Sequence, residues 1–189
     1  GDVTDSVSCR EMSEAAVSAY GRVDVLINNV GISGPGSVTD VDEEFWDTVI
    51  DVNLKSVMLT SKFVIPAMIE SGGGSIVNLS SIVGLRAGAG RPSHPYAASK
   101  GGIIGLSNSM AVHYGRQNIR VNCISAGPIK TLAAAGIADF RKMLDHVEKN
   151  SPLRRNVTIQ EIGDTAAFLA SDGASGITGQ VIYVDSGYN

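Results

Sequence analysis

Tyr96-Ala-Ala-Ser-Lys100 is the segment of the chain best equipped for proton transfer. A free phenol, with a pKa of about 10, is a poor general acid or base at neutral pH. On a helix, residues i and i+4 share a face, so this spacing sets the Lys100 ammonium beside Tyr96. A nearby cation favours the phenolate, and a helix N-terminus adds positive partial charge. The spacing therefore predicts a phenol tuned to act near pH 7. Short pairs of this kind often record only a tyrosine packed near a solvated lysine, so the surrounding residues must carry the weight.

Three other segments do so. Ser75-Ile-Val-Asn-Leu-Ser-Ser81 reads as a buried strand with two serines at its carboxyl end. Val23-Asp-Val-Leu-Ile-Asn-Asn-Val-Gly31 reads the same way, ending in asparagines and a glycine. Between them, Val49-Ile-Asp-Val-Asn53-Leu-Lys55 sets an asparagine inside a long helical pattern. In open α/β sheets, ligands sit in the crevice beyond the carboxyl ends of the strands. All these polar groups belong there.

With Asn-Asn-Val-Gly at 28–31, then Asn53, Ser81 and Tyr96/Lys100 in this order, the sequence resembles the short-chain dehydrogenase/reductase family. Val30 stands where the family usually has alanine, and Ser81 precedes Tyr96 by fifteen residues, slightly more than is common. The resemblance implies a nicotinamide cofactor, NAD or NADP, and an alcohol/carbonyl substrate. Tyr96 would donate a proton to a carbonyl or accept one from an alcohol. Lys100 would lower the tyrosine pKa and bond the nicotinamide ribose. Ser81, favoured over Ser80, would hold the substrate oxygen within reach of the phenol. Asn53 would hold a water linking Lys100 to solvent. Asn29 and Gly31 would line the adenosine side, and Ile129 and Thr131 would close on the carboxamide and phosphates. Gly1-Asp-Val-Thr-Asp5 resembles the end of the family's third strand, placing Asp2 and Val3 near adenine. On this reading the first two β–α units, with the T-G-x-x-x-G-x-G turn that grips the pyrophosphate, are missing.

The C-terminal third has a second likeness. Ile124–Ala134, Asp139–Met143, Pro152–Thr158 and Gly176–Gly187 look like the enoyl-acyl-carrier-protein reductases, a divergent branch of the same superfamily that acts in fatty acid biosynthesis. That branch spaces its tyrosine and lysine with six residues between them, whereas three separate Tyr96 from Lys100. The alternatives to a carbonyl reductase are thus an enoyl-thioester reductase and a non-catalytic, truncated or mosaic fragment with a junction near residues 119–121.

Composition bounds the remaining classes. The chain has 189 residues, 43% hydrophobic and 18% charged, which suits one globular domain over residues 1–189. A net charge of −4 gives no footprint for nucleic acid or an anionic membrane. No apolar run approaches the roughly 18 residues of a membrane span. Cys9 and Cys123 read as buried free thiols, fitting a reducing, cytoplasmic setting. His94, His113 and His146 lack metal-ligand spacing, so no metal is assigned.

The elements that must position these groups alternate. Helices are expected over Ser6–Tyr20 (capped by Asp5, stopped by Gly21), from about Glu43 to Glu70 with a kink or early stop at Pro66, over Pro95–Tyr114, near Ala138–Lys149 and over Gln160–Ala170. Strands are expected at Val23–Asn28, Ser75–Leu79, Ile119–Ile124 and Val181–Val184. Strands separated by helices imply right-handed crossovers. The fold class is α/β: a Rossmann-like, doubly wound parallel sheet in three layers, lacking its first two β–α units. The apolar stripe of Phe45, Trp46, Ile50, Leu54, Val57 and Met58 suggests pairing into a homodimer or homotetramer through the two long helices.

Overall fold

The four apolar runs form four parallel strands in the computed structural model, which describes residues 1–86, 92–130 and 140–189. They are β1 (Val25–Asn28), β2 (Gly74–Ser81), β3 (Ile119–Ala126) and β4 (Val181–Val184), in the spatial order β1-β2-β3-β4. Registers run Asn28↔Asn78, Asn78↔Cys123 and Ala126↔Val184. The carboxyl ends therefore line up along one edge, where Ser80, Ser81 and Ala126 sit. Among the described residues the outer edge of β1 pairs with no strand, and Val25 and Ile27 are exposed there.

Among the described residues there are six α-helices: α1 (Ser6–Tyr20), α2 (Glu43–Ile50), α3 (Ser56–Glu70), α4 (His94–Tyr114), α5 (Phe140–Asn150) and α6 (Ile159–Ala170). The side chain of Asp5 accepts from Ser8 N at 2.7 Å, and Gly21 ends α1 with φ 77°, a left-handed conformation that favours glycine. Asp42 caps α2 by accepting from Glu44 N. Thr158 and Glu161 form a reciprocal capping box at α6.

Side-chain alternation along β2 divides the core. Ile76 packs with Val64, Ile65 and Met68 of α3 and with Met110 and Ala111 of α4. Val77 and Leu79 pack on the opposite face against Ala166 and Leu169 of α6. The result is the expected three-layer α/β arrangement. Period-2 alternation with both faces apolar is what a doubly covered parallel strand requires.

Pro66 does not stop its helix. The chain remains helical from Glu43 to Glu70, with a π-helical turn at Asp51–Lys55, because Val64, Ile65 and Met68 are locked into the core around the proline. Packing here outweighs the lost backbone bond. By length and composition this 28-residue rod is also apolar enough to cross a membrane, contrary to the reading of the sequence. Nearly half of its most apolar stretch is buried inside the domain, as in a core helix.

A chain of polar side chains crosses the sheet near its carboxyl edge. Thr60 Oγ1 donates to Asn28 Oδ1 (2.7 Å), Asn28 Nδ2 to Asn78 Oδ1 (2.8 Å), and Asn78 Nδ2 to Ser107 Oγ (2.8 Å). Asn78 and Ser107 are buried, and their pairing makes that burial tolerable. It also fixes the height of β1 relative to β2, since a slipped register would strand each amide.

Candidate active site

The site grows from the end of β2 and the first turns of α4. Ser81 is the last residue of β2 and caps a short 3₁₀ turn, Ile82–Gly84. Tyr96 is the third residue of α4, and Lys100 follows one turn later. The loop after β1 is tied to the head of this helix: Ser93 Oγ donates to Gly34 O at 2.6 Å, and His94 N donates to Gly36 O at 2.9 Å.

Ser81 and Tyr96 come together, close enough for the Ser81 side chain to act on the phenol. Burial pushes the Tyr96 phenol above its ordinary pKa, and the neighbouring Ser81 side chain pulls it partly back. This corrects the expectation from the Tyr–Lys spacing, because Lys100 is not among the groups that move the phenol. The reason is geometric. Lys100 Nζ sits 5.6 Å from the centroid of the Tyr96 ring and donates to Leu79 O at 2.8 Å. It lies over the ring, engaged with the end of β2.

Lys100 is only 4% exposed. Burial lowers its pKa from 10.5 to about 8, with a smaller opposing effect from Cys123. Cys123 is itself a buried free thiol pushed up to about 11 by burial, so it is neutral at pH 7.

Asn53 is fully buried on the π-helical turn. Such turns widen a helix locally and recur at functional sites. The Asn53 side chain accepts from Ile32 N (2.7 Å) and donates to Ile32 O (2.9 Å) and Ser99 Oγ (3.0 Å). Its amide brackets the β1 loop to α4. Both of its N–H groups are therefore engaged with protein.

Gly31 completes the group. A Cβ there would lie 3.3 Å from Asn53 Oδ1 and 3.4 Å from Lys100 Nζ, so the loop backbone closely approaches both. Gly31, Asn53, Ser81, Tyr96 and Lys100 thus converge. Asn29 is exposed at the end of β1, and Ile129 is partly buried beyond β3. Asp2 lies at the head of α1, where it binds Thr4 N and Thr4 Oγ1, and the Val3 carbonyl accepts from Cys9 Sγ. Thr131 lies outside the described residues.

Several positioning groups escaped the sequence reading. Ser80 Oγ donates to Lys100 O at 2.8 Å and is buried, which leaves Ser81 as the serine that faces the phenol. Ser99 links Asn53 to the Tyr96 carbonyl, to which its Oγ donates at 2.8 Å. A serine inside Tyr96–Lys100 was a visible signal for that link. The carbonyls of Leu79 and Ile32 left none, because backbone groups carry no residue type.

Comparison with known proteins agrees along the whole chain. The family described as Enoyl-(Acyl carrier protein) reductase matches residues 1–189. A 3-oxoacyl-(acyl-carrier-protein) reductase of Thermotoga maritima is 41% identical over 186 residues, covering 98% of this chain and 74% of that protein. An NADH-dependent enoyl-(acyl-carrier-protein) reductase of Synechocystis is 38% identical over 193 residues, covering 100% of this chain and 73% of its own length. Both alignments run through residues 119–121. The solved structure of Thermoplasma acidophilum aldohexose dehydrogenase, ligand-free, superposes with a TM-score of 0.92 at 33% identity, over 99% of this chain and 76% of that one. Agreement of this extent in both sequence and fold makes the protein a member of the short-chain dehydrogenase/reductase family of oxidoreductases.

Proposed function

We propose that the protein is a nicotinamide-dependent carbonyl reductase, acting on a ketone of the 3-oxoacyl thioester class, with Tyr96 as proton donor. The observation that carries this reading is the Ser81–Tyr96 hydroxyl pair at the carboxyl edge of the sheet, with the phenol held above its ordinary pKa. A proton donor must be protonated at working pH, and this phenol is. The 41% identity to a 3-oxoacyl reductase supports the substrate class.

The residues around Lys100 fit the nicotinamide end of such a cofactor. A buried ammonium has three N–H donors, and Leu79 O takes one, leaving donors that suit a ribose diol. At Gly31 the loop backbone closely approaches the same ammonium, since a Cβ there would lie 3.4 Å from Lys100 Nζ. Lys100 and Tyr96 would hold the nicotinamide ribose, Asn29 and Gly31 the adenosine side with Asp2 and Val3 near adenine, and Ile129 and Thr131 the carboxamide and phosphates. When bound, the cofactor supplies or takes up hydride.

The protein's own part is orientation and proton supply. Ser81 holds the substrate oxygen beside the phenol, and Tyr96 delivers its proton as negative charge develops there. Asn53 fixes the loop and helix on either side of Lys100. A second reading, reduction of an enoyl thioester, is favoured by the description of the matching family and by the Synechocystis relative. The protein expressed from its own gene should oxidise NADH or NADPH with acetoacetyl thioester faster than with crotonyl thioester, followed by nicotinamide absorbance. Preference for the crotonyl compound would establish enoyl reduction instead, and turnover of neither would point to a non-catalytic chain.

The same reading includes self-association, in a cytoplasmic setting, through the faces of α3 and α4. Of the expected stripe Met58 is exposed, whereas Val57 is buried and Leu54 packs beside it in the core; Ile69 and Val112 add exposed apolar surface on α3 and α4, Val112 at 87%. Light scattering at micromolar concentration should give a dimer or tetramer. A monodisperse monomer would count against it.

A further inference from the structure

We propose that Gly84 and Gly101 form a backbone-on-backbone spacer that sets the distance between the Ser81 and Tyr96 hydroxyls. The proposal rests on the reading of Tyr96 as proton donor and adds two positioning residues to it. A Cβ built on Gly84 would lie 2.8 Å from Lys100 C, 2.9 Å from Gly101 N and 3.0 Å from Lys100 O. All three are backbone atoms of α4, which cannot swing aside as the end of a side chain can. Gly101 reciprocates, since a Cβ there would lie 3.0 Å from Gly84 O. Gly84 does not have a positive φ, so the demand for glycine is one of space and not of conformation.

The contact lies between the two groups that must meet. Gly84 ends the 3₁₀ turn that Ser81 caps, and Ser81 Oγ accepts from Val83 N within that turn. Gly101 follows Lys100, one helical turn beyond Tyr96. Two further bonds clamp the same pair of segments: Ser80 Oγ to Lys100 O and Lys100 Nζ to Leu79 O, each 2.8 Å. With strand end and helix already held on one side, the approach of the 3₁₀ turn to α4 is the remaining variable. A methyl group at Gly84 forces that turn outward and carries Ser81 away from the phenol.

The test is a double-mutant cycle on the protein expressed from its own gene, reading kcat and KM for each substrate. Gly84→Ala should lower kcat by ~10–100-fold, the scale of a misplacement near 1 Å, with cofactor KM little changed. In a Ser81→Ala background, Gly84→Ala should lower kcat by less than about twofold, because the bond it disturbs is already gone. Gly101→Ala, with its single 3.0 Å contact, should show the same pattern more weakly. Gly105→Ala, on the same helix with nothing within 4 Å of its Cβ, should leave kcat unchanged. Losses from Gly84→Ala and Ser81→Ala that simply multiply would overturn the spacer, as would wild-type kcat in both single glycine variants. If Gly84→Ala does not fold, Gly101→Ala decides by the same non-additivity. A Ser81→Ala that keeps wild-type kcat overturns the reading of the site itself, and the spacer with it.

Discussion

Tyr96→Phe should lower kcat for carbonyl reduction by about 10²–10⁴-fold, the usual contribution of a positioned general acid, while leaving the fold intact. The ring stays, so its packing and its place beneath the Lys100 amine are preserved. Only the hydroxyl that pairs with Ser81 is removed. Cofactor affinity should weaken modestly, because Tyr96 gives up its own hydroxyl toward the ribose while the Lys100 donors remain. Ser81→Ala should cost less, since it deletes a positioning bond and no transferable proton. The ordering has an electrostatic consequence as well: without Ser81 the phenol loses a group that pulls its pKa down, and burial holds it higher still. Wild-type carbonyl reduction by Tyr96→Phe would remove the central element of the proposed chemistry. Loss of carbonyl reduction with enoyl reduction retained would point to a second proton source.

Tyr96, Lys100, Ser81, Asn53 and Gly31 were legible in the sequence because each has a side-chain chemistry, or in Gly31 the absence of one, that reads at a distance. The strands were legible for a related reason: both faces of β2 and β3 are buried, so the runs Ser75–Leu79 and Ile119–Ile124 are mostly apolar, broken only by Ser75, Asn78, Arg120 and Asn122. Two things were not. Pro66 reads as a breaker, yet Ile65 and Met68 lie in the core cluster and hold the helix through it. Local propensity cannot report a packing partner more than forty residues away, such as Met110 on α4. The target of the Lys100 amine was also hidden, because the Leu79 carbonyl that orients it looks like any other peptide oxygen in a sequence. Helical spacing placed the lysine beside the tyrosine correctly. It could not say which acceptor would claim the charge, and that choice decides whether the lysine tunes the phenol or presents its donors to a ligand.

Lys100→Met should separate activity from stability in opposite directions. The Lys100 ammonium is buried, and its pKa falls from 10.5 to about 8 on folding. Between about pH 8 and 10.5 the unfolded chain holds a proton that the native chain does not, so stability from this group rises with pH across that window. Below about pH 8 both states are protonated, and the native state carries the full desolvation cost of the charge, ~3 kcal/mol for a shift of this size. Methionine fills a similar volume without that charge. Against the gain stands the Leu79 carbonyl, which loses its donor at a cost of about 1 kcal/mol. Unfolding by denaturant at pH 7 should therefore show Lys100→Met more stable than wild type by ~2 kcal/mol, with the difference shrinking as pH rises toward 10.5. Turnover should fall by ~10²-fold or more and cofactor binding should weaken, because the ribose donors are gone. Wild-type activity should decline as pH passes about 8 and the ammonium discharges. A variant destabilised at pH 7 would mean that Lys100 holds the end of β2 against the Tyr96 ring as a structural pin. A stable variant without activity fits a charge kept in the core at a cost to the fold because the reaction needs it there.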